Sequence, residues 1–122
     1  ESKFAWAELL RRQDRRADAV KLYKELASDV RTKEGSAAAY YVLEDVFAGG
    51  DMDKAEKAIF AYSEREPQAY WLAKAFILLG DVYVRKGDNF QARATYQSVA
   101  DGYSPADDGI VAEAKERIAK LN

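Results

Sequence analysis

Large apolar residues fall in a pattern that recurs three times along the chain. Ala19-Val-Lys-Leu-Tyr23, Ala55-Glu-Lys-Ala-Ile59 and Ala92-Arg-Ala-Thr-Tyr96 each set a small residue four positions before a large apolar one, and Leu26, Tyr62 and Val99 follow three positions later. Spacings of four and three place these side chains on one face of a helix. The step from Ala19 to Ala55 is 36 residues and from Ala55 to Ala92 is 37. A period of that length predicts stacked helix pairs whose working surface is built jointly by neighbouring units.

Turn residues punctuate the pattern where a helix pair must reverse. Gly49-Gly50-Asp51 and Gly87-Asp88-Asn89 read as tight turns, with glycine ending one helix and Asp51 or Asp88 capping the next. Gln13-Asp14-Arg15 takes the same place in the first unit without glycine. Pro67 and Pro105 block continuation of the second helix of a pair, and Lys33-Glu34-Gly35-Ser36 is expected to do so after the first. The spacing predicts seven helices, over 2–13, 16–31, 35–48, 52–65, 68–86, 89–103 and 107–121. The last carries an apolar stripe of Val111, Ala114, Ile118 and Leu121 opposite Glu113, Lys115, Glu116, Arg117 and Lys120, as a helix covering the end of an array would.

Composition narrows the function classes. The 122 residues make one domain, 1–122, with 48% apolar and 33% charged residues, ordinary for a folded helical chain. Nineteen basic against 21 acidic residues leave a net charge of −2, which argues against a nucleic-acid partner needing a basic surplus. The absence of Cys and His removes thiolate chemistry and the commonest general base and zinc ligand. No apolar run approaches a membrane span, Phe76–Leu79 being stopped by Gly80 and Asp81, so membrane insertion by this segment is not expected. The chain opens at Glu1 without Met, and Phe4, Trp6, Leu9 and Leu10 begin it abruptly. It is expected to be a fragment of a longer chain.

The pattern resembles the tetratricopeptide repeat (TPR) family over nearly the whole sequence. In the third unit Phe76, Leu79-Gly80, Tyr83, Gly87-Asp88, Ala92, Tyr96 and Pro105 stand where the family has an aromatic, Leu-Gly, Tyr, the turn, Ala, an aromatic and Pro. The second keeps Gly50-Asp51, Ala55, Ile59 and Pro67 but has Leu43 in place of Gly80, and the first keeps Trp6-Ala7, Leu10, Ala19 and Tyr23. The resemblance implies an all-α fold, a right-handed α-α superhelix of about three helix pairs. Its repeats would run 1–34, 35–67 and 68–105, closed by a capping helix over 107–121. Long units, Gly102-Tyr103-Ser104-Pro105 and the final Ala-Lys-x-Arg-Ile-x-x-Leu helix are similar to the bacterial envelope branch. That branch implies the periplasm or cell envelope rather than the cytoplasm, although Ser104 interrupts its usual Tyr-Pro turn.

Family groove positions, carried over unit by unit, select three rows on the expected concave face. They are Phe4, Tyr40 and Ile77; Glu8, Glu44 and Asp81; and Arg11, Phe47 and Val84, with Arg12 and Arg85 beside the last. The acidic row would complement an apolar segment bearing a few basic side chains. The alternative is that solvated helices simply expose acids, and that Tyr40, Tyr41 and Phe47 are core contacts rather than anchors. The helix over 68–86 is apolar nearly all round, with Ile77 and Val84 its expected groove residues. The family's carboxylate clamp is not matched: Phe4, Glu8, Tyr41 and Leu78 hold its positions and only Lys74 fits.

Other chemistry is weakly signalled. Arg11, Arg12, Arg15 and Arg16 form the only basic cluster, without interleaved aromatics. Asp51-Met52-Asp53 and Asp107-Asp108 lack the spacing and closing Glu of a calcium loop, so no metal is expected. No pair of carboxylates is placed in one pocket by spacing, and no cofactor motif is present. The expected function is a non-catalytic module that binds a peptide or helix of a partner protein, as scaffold or assembly factor. The alternative is a structural spacer that extends or terminates a longer array.

Overall fold

The computed structural model describes residues 2–121 and is all-helical among them. Seven helices run in order: α1 (Lys3–Arg12), α2 (Arg16–Leu26), α3 (Lys33–Ala48), α4 (Met52–Ser63), α5 (Ala69–Arg85), α6 (Asn89–Gly102) and α7 (Ile110–Ala119). Each packs against its neighbours in sequence, and α3 also meets α5 while α5 meets α7. Alternate helices therefore share a wall. No helix among the described residues is long and apolar enough to cross a membrane.

The turns form as their residues dictate. Gly50 and Gly87 adopt φ of 94° and 79°, where a side chain would be strained. The carboxylates that follow cap the next helix: Asp51 accepts from the Lys54 N–H at 3.1 Å and Asp88 from the Gln91 N–H at 3.0 Å. In the first pair Asp14 itself takes the left-handed turn, with φ of 63°. The recurring small and large residues become core. Ala19, Tyr23, Ala55, Ile59, Ala92 and Tyr96 are all essentially inaccessible, and Tyr83, Gly80 and Pro67 are buried, whereas Pro105 stays exposed.

Helix α2 ends at Leu26, five residues before the expected end at 31. Side chains in the following turn claim the backbone. Asp29 accepts from the Arg31 N–H at 3.1 Å, and the Thr32 hydroxyl donates to the Asp29 carbonyl at 3.1 Å. Thr32 then caps α3 by accepting from the Gly35 N–H at 2.9 Å. Lys33-Glu34-Gly35-Ser36 is accordingly the first turn of α3 and not a helix stop. Gly35 is required there because its backbone passes against the Asp29 carbonyl, leaving no room for a Cβ.

Among the described residues Ser36 is the one buried polar residue. Its hydroxyl donates to the Val30 carbonyl and accepts from the Gln68 N–H at 2.9 Å, while its own carbonyl accepts from the Tyr62 hydroxyl at 2.8 Å. The turn after α2, the end of α4 and the start of α5 thus converge on one residue, the first and last through its hydroxyl and α4 through its backbone carbonyl.

Alternate-helix packing explains the apolar character of α5, which touches α3, α4, α6 and α7. Gly80 in its middle lies under the Tyr96 ring of α6. In α7 the buried stripe begins at Ile110 rather than the expected Val111, and continues through Ala114 to the half-buried Ile118 and Leu121.

Candidate functional site

Helices α3, α5 and α7 bound two adjoining hollows. One, of about 430 Å³, has Tyr40 and Leu78 in its floor, with Glu44, Lys74 and Glu113 around it. The other, of about 340 Å³, is lined by Phe47, Val84, Tyr96 and Leu121, with Lys120 at its edge. They share Phe47, Asp81, Arg85 and Arg117. A separate hollow of about 420 Å³ between α1, α3 and α5 holds Phe4, Glu8, Tyr41 and Trp71.

The expected rows divide sharply. Val84 and Arg85 are exposed, and Phe4, Glu8, Glu44, Phe47 and Asp81 are half-buried. Tyr40 and Ile77 are core, with 5% and 2% of their surface accessible, which corrects their assignment as groove anchors. The physical reason is enclosure. Ile77 sits on a helix covered from four sides, and the Tyr40 ring packs on Trp71 at 5.5 Å and on Tyr41 at 5.7 Å. Tyr41 joins the two core clusters, its ring 4.9 Å from Tyr23 and 5.7 Å from Trp71.

The acidic row is not a free acidic surface. Glu8 accepts from the Tyr23 hydroxyl at 3.2 Å and from Arg11 at 2.8 Å. Asp81 accepts from the Tyr96 hydroxyl and takes Arg117 in a two-pronged pair at 3.1 and 3.2 Å. In both units the tyrosine stands 15 residues after the acid. Glu44 meets Ile59 at that spacing (59 − 44 = 15), which has no hydroxyl to give. Among the described residues Glu44 forms no ion pair, and the acid beside the buried Tyr40 helps burial hold that phenol above its ordinary pKa.

Cations are drawn inward similarly. Arg117 and Glu113, expected on the solvent side of α7, face α5: Glu113 bridges Arg117 at 3.0 Å and Lys74 at 3.6 Å. The guanidinium of Arg85 lies 4.7 Å over the Phe47 ring and that of Arg11 lies 4.3 Å over Tyr41. The basic cluster near the first turn disperses into pairs, Arg11 with Glu8, Arg15 with Asp18 at 2.8 Å and Arg16 with Asp45 at 3.3 Å. Trp71, Glu113, Arg117 and Leu121 complete these hollows without having been singled out as groove residues by the sequence, and Lys74, noted only against the family's clamp, joins them. The i, i+4 spacing of Glu113 and Arg117 was the available signal for a paired face.

Among the described residues no group of His, Cys, Asp or Glu side chains is placed to hold a metal ion. The titratable feature is the set of buried phenols. Burial, with an acceptor carboxylate beside each, raises Tyr23 and Tyr83 to about 12, and the bond to Asp108 raises Tyr103 to about 12. Below pH 10 these phenols are neutral whether the chain is folded or not. Above it the unfolded chain releases protons that the folded one retains, so stability falls as pH rises from 10 towards 12. The melting temperature should drop across that window, with phenolate absorbance appearing together with unfolding. Phenolate absorbance of all tyrosines at pH 10.5 in a still-folded chain would contradict this burial.

No protein-family model, curated protein or solved structure matches the chain. Fold and site together define an all-α protein with a charged, partly apolar groove between alternate helices.

Proposed function

We propose that the chain is a non-catalytic protein-interaction module that holds a peptide or helix of a partner protein between α3, α5 and α7, without a cofactor. In this reading its helix pairs are TPR-like units stacked in a right-handed superhelix, with α7 as the terminal cap. Support comes from the recurring Ala-x-x-x-large pattern, the Gly-Asp turns and the contacts between alternate helices. The hydroxyl-to-carboxylate bond at the same spacing in the first and third units adds to it. The observation that carries the docking reading is the pair of adjoining hollows with Val84, Arg85 and half-buried Phe47 along them. Rigid helices present these groups without an ordering cost on binding.

Internal pairing of Lys74, Glu113, Arg117 and Asp81 favours a second reading, in which the groove is a structural seam and the chain a spacer. Crosslinked capture from the source cell separates the two. Val84→Asp should lose the proteins that wild type retains, at unchanged melting temperature, whereas Lys57→Glu on the exposed side of α4 should keep them. Equal capture by wild type and Val84→Asp would sink the docking reading in favour of the spacer.

A further inference from the structure

We infer that the segment held in the Val84 hollow is acidic and apolar: a side-chain carboxylate of a partner protein on Arg85, with a neighbouring aliphatic or aromatic side chain on Phe47, Val84 and Leu121. This rests on the docking reading above and reverses the charge sign expected from the acidic row. The hollow is lined by three cations, Arg85, Arg117 and Lys120, and by one acid, Asp81. It is locally positive in a chain whose net charge is −2.

Internal pairing sharpens the sign. Asp81 accepts from Arg117 through both oxygens, and Arg117 also holds Glu113, which Lys74 approaches at 3.6 Å, so these four charges balance and offer a basic ligand little. Among the described residues Lys120 reaches only the exposed Glu116, at 3.9 Å. Among the described residues Arg85 has no carboxylate partner at all. Its guanidinium lies 4.7 Å over the Phe47 ring and, among the described residues, donates no hydrogen bond to another side chain, so its N–H donors are available to a ligand. A guanidinium without an internal partner can take a carboxylate through two parallel bonds. Val84, 39% exposed, stands next to it in the chain, and Leu121 closes the hollow from beyond α7. An isolated carboxylate would leave that apolar surface wet, and an isolated apolar side chain would leave Arg85 unpaired. A segment carrying both satisfies both.

Selection from a random peptide library displayed against the folded chain, with Val84→Asp as counter-selection, tests this. Enriched peptides should pair Asp or Glu with Leu, Ile, Phe or Trp. They should bind as well with an amidated C-terminus, and weaken about tenfold or more with Arg85→Glu or Arg85→Gln at unchanged melting temperature. Their affinity should also fall as salt rises. Enrichment of basic or uncharged peptides that still depend on Val84 would overturn the acidic assignment and leave the docking reading standing. So would acidic peptides indifferent to Arg85, or peptides that need a free C-terminal carboxylate. No Val84-dependent enrichment at all would overturn both.

Discussion

Gly35→Ala is expected to destabilise the fold by about 3 kcal/mol, although alanine is the better helix former by about 1 kcal/mol. Position 35 lies inside α3, in its first turn, where propensity alone would reward the change. A Cβ there, however, would lie 2.7 Å from the Asp29 carbonyl carbon, closer still to its oxygen, and 2.8 Å from the Thr32 hydroxyl. The obstacle is backbone, held by the bonds of the turn after α2, so it cannot rotate aside as a flexible side chain would. Relief requires moving that turn and with it the Thr32 cap and the bond from Ser36 to Val30. Urea denaturation of the two proteins measures the loss. An alanine variant equal to or more stable than wild type would mean that the turn does not pass against α3.

Gly80→Leu should cost about 3 kcal/mol, with Gly80→Ala losing less. A Cβ at 80 would fall 2.6–2.7 Å from the Tyr96 Cδ1 and Cζ atoms, within the space the ring occupies. Tyr96 is itself 1% exposed, and its hydroxyl is held by Asp81, so the ring can yield only by giving up that bond. Pushing it outward separates α5 from α6 and withdraws the hydroxyl from Asp81, the residue that anchors Arg117 of α7. Three helices are disturbed by one side chain. The midpoint of urea unfolding should fall accordingly, and amide exchange should accelerate in α6 and α7 together. A change within about 0.5 kcal/mol, the range of an indifferent surface substitution, would mean that the small residue at 80 is not where helices α5 and α6 cross.

Much of this architecture is legible in the chain because its signals are local. Glycine at Gly50 and Gly87 is read from its neighbours alone, and Asp51 and Asp88 cap helices that begin within three residues of them. The end of α2 was hidden because the periodicity continues past it. Val30 falls four positions after Leu26, as a helical core residue would, and it is indeed buried, but on a turn held by Asp29 and Thr32. Apolar spacing reports which side chains face inward and is silent on the backbone path between them.

The groove was harder to read for a different reason. Tyr40 and Ile77 occupy equivalent positions to the partly exposed Phe4, yet α3 and α5 have neighbours on both sides and close over them. Arg117 finds Asp81 across 36 residues, and no local rule announces that pairing. Likewise an acid at Glu8, Glu44 and Asp81 recurs visibly, but whether it is free depends on what stands 15 residues later. Tyr23 and Tyr96 each donate a hydrogen bond to one of the three, with Arg11 and Arg117 supplying the opposite charge, whereas Ile59 has no hydroxyl to give Glu44.

Ser36 gives the molecule a particular kind of cooperativity. In an array where each helix pair touches only the next, units peel away from an end one at a time, each with its own local melting free energy. Here a single hydroxyl and its carbonyl tie the turn at Val30, the ring of Tyr62 and the chain entering α5 at Gln68. Detaching the first pair exposes polar groups that belong to the second and third, so fraying at that end draws on the stability of the middle. The three pairs are expected to melt as one unit because a serine, and not another apolar residue, sits at their junction.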